Sequence, residues 1–339
     1  MHDSERDSGS ITPSASETPF AGLRPEIVIA AVEAAGHECD GRVLALNSYE
    51  NRVYQVGREV DEPVIVKFYR PQRWSDAAIL EEHAFALELA AAEIPVVAPL
   101  ATDARTLLEH SAFRYALYPR RNGYWPELAT SDDRIWMGRF LGRVHAIAQA
   151  RRFQHRPLLS IAIYGSEARQ TVLESGFLPD YLVDRYAHTT ELLIERIRSA
   201  GLDTRSLEWH RIHGDCHRGN ILWRSEGPHI VDLDDCMTGP AIQDLWMLLA
   251  GSRDEMRTQV ADLAEGYAQF ANFSFAQLAL IEPLRALRLI HYSAWLARRW
   301  NDPAFPRAFP WFIEPRYWEG HVSTLQSQVE ALEEEPLSL

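Results

Sequence analysis

Three polar residues between positions 210 and 235 have the types and spacing for phosphoryl transfer. Asp215 follows His213-Gly214, four residues separate it from Asn220, and Asp232 comes twelve residues after Asn220, entered from Ile230-Val231. An Asp-x4-Asn loop, a short hairpin and an Asp on the next strand bring two carboxylates and an amide around one point. One carboxylate must accept the hydroxyl proton of the phosphate acceptor. The amide oxygen and the second carboxylate suit Mg²⁺ at nucleotide phosphates, because hard cations prefer oxygen ligands.

The surrounding elements form two blocks. A helix starts at Pro25 and stops at Gly36. Strands are expected over 42–46, 52–57 and 63–69, and a long helix over 75–93 capped by Ser75 or Asp76. Two more strands, over 106–109 and 113–118, complete a small sheet unit that closes at Pro119. The rest reads as helices over 131–150, 180–200, 241–249, 254–270, 275–300 and 315–333, with the strand-rich island at 210–235 between them. The expected organisation is a tail over 1–22, a small lobe over 23–119 and a larger helical lobe over 120–333. The hinge falls near 117–122, and clefts at such joints are favoured ligand sites.

Composition bounds the partners. The chain has 339 residues, is 46% hydrophobic and carries a formal net charge of −14. That surface argues against generic nucleic-acid or anionic-membrane binding. Residues 1–19 have no apolar core of a secretory signal, no run of 18 apolar residues occurs, and Cys39, Cys216 and Cys236 form no disulfide framework. A cytoplasmic monomer is expected. The first twenty residues, rich in Ser, Thr, Pro and acids, read as a disordered tail, with Ser10, Thr12, Ser14, Ser16 and Thr18 as conceivable phosphate acceptors.

The string HGDCHRGN resembles the HGDxxxxN motif of kinases with the aminoglycoside-phosphotransferase fold. LNSYENRVYQV, VIVKFYRPQRW, ILEEH, VDLDD, GPAIQDLWMLL and IEPLRALRLIHYSAWLARRW extend the match. Together they look like the bacterial stress response kinase A family, over about 23–332. The resemblance implies an α+β, bilobal, protein-kinase-like fold and Ser/Thr protein kinase activity with ATP and Mg²⁺. It also implies protein substrates, autophosphorylation and a role in stress survival. By carry-over, Asp215 is the catalytic base, while Asn220 and Asp232 are metal ligands. Lys67 binds the α/β phosphates and pairs with Glu82, with Glu81 as the fallback. Ser48 lies where the phosphate-covering loop touches ATP. Ala116-Leu117-Tyr118 reads adenine through backbone groups, and Asp244 buttresses the catalytic loop.

The departures from protein kinases matter. LNSYENRVY contains no glycine, Gly214 stands where an HRD triplet has arginine, and eleven residues separate Asp232 from Asp244. So short a segment predicts constitutive competence rather than control by an activation-loop phosphate. Several of these residues also have plainer readings. The histidines at 210, 213, 217 and 229 lack the Cys pairs of a zinc site. Cys216 reads better as a small buried residue than as a redox switch. The C-terminal tryptophans read as core rather than as a cage for a quaternary amine. Asp234 and Asp235 read first as solvated or capping residues. Two alternatives remain: a small-molecule kinase acting on an aminoglycoside, choline or homoserine-like alcohol, and an ATP-binding pseudokinase. The second conflicts with the presence of a base.

Overall fold

A computed structural model of the chain describes residues 19–202 and 208–339. The small lobe contains α1 (Pro25–Ala34), β1 (Cys39–Ala45), β2 (Arg52–Arg58), β3 (Val64–Phe68), α2 (Asp76–Ala91), β4 (Leu108–His110) and β5 (Phe113–Pro119). The five strands form an antiparallel sheet in the order β1-β2-β3-β5-β4. Side chains alternate across a strand, so β3 serves two purposes. Val64, Val66 and Phe68 enter a core with Val28, Val32 and Leu117, while Ile65 and Lys67 face the cleft. Pro25 begins α1 where its missing N–H costs nothing, and the Ser75 hydroxyl accepts from the Ala78 amide to cap α2.

Packing starts earlier than the sequence suggests. Phe20, inside the expected tail, is buried in the small-lobe core beneath the Arg52 and Arg70 guanidinium groups. The candidate phosphate acceptors Ser10 to Thr18 lie outside the described residues.

The large lobe holds α3 (Ser131–Ala148), a π-helical turn over Ala162–Glu167 continuing into α4 (Ala168–Glu174), and α5 (Asp180–Ser199). Then come β6 (Trp209–Ile212), β7 (Ile221–Arg224), β8 (Gly227–Ile230) and β9 (Met237–Pro240). The chain ends in α6 (Ile242–Trp246), α7 (Arg253–Tyr267), α8 (Ile281–Arg299), α9 (Ala304–Ala308) and α10 (Pro315–Ala331). β6 pairs with β9 and β7 with β8, both antiparallel. The helix expected from 275 is a 3-10 stretch up to Leu280, and α8 begins at Ile281. Pro283 accounts for this, since proline is accommodated in a first helical turn and not in a helix interior. No helix among the described residues is long and apolar enough to cross a membrane.

Two contacts fix the lobes. On the α2 side, Phe85 and Leu89 belong to the large-lobe core, and the Glu81 carboxylate accepts from the backbone amides of Gln154, His155 and Arg156. On the far side, Arg52 and Arg70 both reach the buried carboxylate of Asp302 at 2.6 Å.

Helix α3 crosses α7 at glycines. A Cβ on Gly266 would run into the Ile135 carbonyl and the Arg139 amide, and one on Gly138 into the Leu263 carbonyl. This close approach sets the position of His145, used below. We expect Gly266→Ala to cost about 2 kcal/mol or more, because the backbone it meets has nowhere to go. Urea unfolding should show a lower midpoint at unchanged slope; an unchanged midpoint would contradict the packing described.

Candidate active site

The loop 213–220 is held from beneath by one buried carboxylate. Asp244 accepts from the amides of His213 (2.7 Å) and Gly214 (2.9 Å) and from His145 Nε2 (3.0 Å), whose Nδ1 faces the Tyr267 hydroxyl. Burial alone would raise the Asp244 carboxyl; these donors hold it below its ordinary value. Gly214 sits at φ +84°, and a Cβ there would strike the Asp235 carbonyl oxygen. Glycine is therefore required where an HRD triplet carries arginine.

On this support, the Asn220 amide nitrogen donates to the Asp215 backbone carbonyl at 3.0 Å. Its amide oxygen is left for another partner. His217 Nδ1 accepts from the Gly219 amide, which puts the ring proton on Nε2, 3.4 Å from Asp215 Oδ2. Arg288, on α8, donates to Asp215 Oδ1 at 2.6 Å. Burial would raise the Asp215 carboxyl, but the His217 N–H and the Arg288 guanidinium keep it well below the usual carboxylate range.

Opposite stands Lys67, buried on β3. Its ammonium lies 3.4 Å from Glu82 Oε1, 3.0 Å from Asp232 Oδ1 and 3.1 Å from Asp234 Oδ1. Glu82 is thus the partner on α2; Glu81 is spent on the 154–156 amides. Burial opposes the lysine charge, yet the three carboxylates outweigh it and raise its pKa. Glu82 is raised to about 7 by burial, with Lys67 pulling the other way. Asp232 adopts φ +57°, a left-handed conformation rare outside glycine, at the turn that follows β8. Its side chain is 53% exposed, so oxygens remain available in the cleft.

A cavity of about 300 Å³ is lined by Ser48, Lys67, Glu82, Tyr118, Asn220 and Asp232; Asp215 does not line it but lies next to Asn220, whose amide nitrogen is 3.4 Å from Asp215 Oδ2. The Ser48 hydroxyl itself donates to the Asn51 carbonyl at 2.8 Å. Leu117 does not line the cleft. Its side chain is buried in the small-lobe core, and its carbonyl accepts one hydrogen bond, from the Leu100 amide at 2.7 Å. Tyr118, Pro119 and Arg121 form that wall instead. The Tyr118 hydroxyl continues into a buried chain through Tyr69, His83 and Thr106. Cys216 and Cys236 are buried, and the His210 ring packs on His145.

Sequence reasoning undervalued Asp234. It is buried between Lys67 and Arg73, and Arg156 binds its backbone carbonyl. Its place two residues after Asp232 was the available signal. Arg288 had none, since 73 residues separate it from its partner. For a divalent cation, the Asn220 amide oxygen and the Asp232 carboxylate provide an all-oxygen donor set that fits a hard ion.

A two-lobed fold with an Asp, an Asn, a second Asp and a paired lysine around the interlobe cleft defines a kinase-like phosphotransferase. Residues 42–281 match the phosphotransferase enzyme family (APH). The chain is 45% identical over 321 residues to "Stress response kinase A" of Salmonella choleraesuis (strain SC-B67), covering 94% of this chain and 97% of that protein. The same identity and coverage hold for "Serine/threonine protein kinase RdoA" of Salmonella typhimurium. The chain therefore belongs to the stress response kinase A branch of that phosphotransferase family. Among solved structures, an amicoumacin kinase in complex with AMP-PNP, Ca²⁺ and Ami is similar in fold, with a TM-score of 0.70 at 17% identity over 91% of this chain and 94% of that one.

The Asp244 geometry gives a pH-dependent expectation. Its carboxyl is depressed in the folded chain relative to an unfolded value near 4. Ionised Asp244 therefore contributes stability above that value, and the contribution is lost as pH falls through the folded pKa. Asp244→Asn should cost about 3 kcal/mol at pH 7, because a buried acceptor becomes a donor facing N–H groups. The gap to the native chain should narrow at pH 3. Equal stability at pH 7 would refute the buttress.

Proposed function

We propose that this chain is a Ser/Thr protein kinase that transfers the γ-phosphate of Mg-ATP to protein hydroxyls, its own included. One observation supports the reading: Lys67, Glu82, Asn220 and Asp232, from distant parts of the chain, line one cleft, with Asp215 next to Asn220. The acceptor class rests on kinship, since a relative at 45% identity is named a serine/threonine protein kinase. A role in stress survival rests on the same names.

In this reading Asp215 receives and orients the acceptor hydroxyl and takes its proton as the phosphoryl group moves. The chemistry asks little covalent work of the protein; positioning and charge stabilisation carry it. Lys67, held by Glu82, places its ammonium against the α/β phosphates. Asn220 and Asp232 would hold the Mg²⁺, which when bound would supply positive charge to the phosphates. Tyr118 and Pro119 flank the adenine. The 47–51 turn covers the phosphates with fixed groups rather than with a flexible glycine loop, because Glu50 beside Ser48 is anchored to Trp295 and Arg299.

A small-molecule acceptor is the second reading, and the likeness to an amicoumacin kinase is what favours it. Labelled γ-phosphate separates the two. We expect acid-stable label on Ser or Thr of the protein or of an added protein substrate. Asp215→Asn should lower kcat by about 10² to 10⁴ while Mg-ATP binding persists. Near-normal turnover by that variant would refute the base assignment. Label found only on small alcohols would move the acceptor class.

A further inference from the structure

Helix α8 turns one basic face to the acceptor side of the cleft. Residues 288, 291, 295, 298 and 299 recur at helical spacing. Arg288 meets Asp215, His291 packs on Tyr164 at 4.6 Å between ring centroids, and Trp295 and Arg299 hold Glu50. Two of these cations are exposed and make no ion pair with a carboxylate of the buried network. Arg288 is 43% exposed, and its hydrogen-bond partner among the described residues is Asp215, the carboxylate an acceptor hydroxyl must reach. Arg298 is exposed and donates twice to the Thr171 hydroxyl; Glu167 is near enough to act on its charge but makes no direct ion pair with it. By contrast, Arg73 and Arg299 are occupied by Asp234, Asp235 and Glu50.

The local field agrees with this count. His291 is pushed down to about 4, first by burial and then by Arg298, Arg288, Arg73 and Arg299. A basic strip is therefore set beside the acceptor position of a chain whose net charge is −14. An acceptor hydroxyl approaching Asp215 displaces the Arg288 guanidinium from one carboxylate oxygen. An anionic group on the acceptor gives that guanidinium a new partner. A cationic group would leave it facing repulsion, and Arg298 would repeat that choice farther out.

We propose that Arg288 and Arg298 select acceptor segments carrying Asp or Glu near the phosphorylated Ser or Thr. This rests on the protein-kinase reading above and names its substrate class. Ten residues of helix separate the two arginines, about 15 Å. That distance equals four to five residues of extended chain. The second acidic residue is therefore expected about that far from the acceptor.

The test is steady-state phosphorylation of Ser peptides with Glu, Ala or Lys at the flanking positions, with glycerate and choline as small acceptors. The native chain should prefer the Glu peptide to the Ala peptide by about tenfold in kcat/KM, equivalent to about 1.4 kcal/mol. The preference should lie mainly in KM and shrink as salt screens it. Arg298→Glu should remove most of the preference through KM. Arg288→Lys should keep more of it than Arg288→Ala. Melting temperature, and its rise with Mg-ATP, shows that each variant folds and binds nucleotide. Preference for the Ala or Lys peptide, or a Glu preference that survives Arg288→Glu/Arg298→Glu, overturns the proposal. Phosphorylation of glycerate over choline with no peptide accepted keeps anionic selection and overturns the protein reading. Choline over glycerate overturns the selection, and transfer to none of them overturns both.

Discussion

A buried ammonium organises this molecule. Lys67 lies on the cleft face of a core strand, where an unpaired charge would cost several kcal/mol. Three carboxylates from two places answer it: Glu82 on α2, and Asp232 and Asp234 at the turn after β8. Helix and turn must both be held in place. Glu82 depends on α2 being pressed into the large-lobe core, and Asp234 also depends on Arg73 from the small lobe. The charge at position 67 therefore ties the two lobes together, and two of its partners, Glu82 and Asp232, also line the interlobe cleft.

The same logic explains the 47–51 turn. A glycine-rich loop lets backbone approach phosphate closely, but it must be ordered by the ligand. Here the turn is ordered beforehand. Glu50 is held by Arg70 and Arg73 from its own lobe and by Trp295 and Arg299 from α8, while Tyr49 packs on Phe309 at 4.8 Å. Asp302, shared by Arg52 and Arg70, closes the same edge. Side-chain anchoring to the opposite lobe replaces backbone flexibility, at the cost of tying the turn's position to that of α8.

Much of this was legible in the sequence, because its signals were local. The Asp215–Asn220–Asp232 spacing, the alternation in 64–68 that puts Lys67 opposite the core residues, and the Ser75 cap all act within a few residues. What escaped depended on distance. Arg288 gains meaning only when α8 lies beside the catalytic loop, and no pattern in its own helix sets it apart from Arg285. Leu117 shows the same dependence: strand register, not composition, puts its side chain in the small-lobe core and turns its carbonyl to the Leu100 amide. Phe20 looked like tail by its neighbours, and only the guanidinium groups above it show why it packs.

The arrangement also bears on how such a kinase is controlled. Protein kinases that wait for a signal keep the lysine–glutamate pair broken or the activation segment misplaced until a phosphate arrives. In this chain the Glu81 carboxylate clamps α2 to the amides of residues 154–156, which leaves Glu82 facing Lys67. Eleven residues between Asp232 and Asp244 leave little chain to rearrange. Within that span, Asp234 and Asp235 are pinned by Arg73, and Arg156 holds the backbone at Asp234 and Cys236. A switch needs two arrangements of similar energy, and shifting either element here would strand buried charges. The partner least tied to the buried network is the half-exposed Arg288 on Asp215, which can be displaced without stranding a buried charge. Control through access to Asp215 is therefore more compatible with this structure than control through assembly of the site.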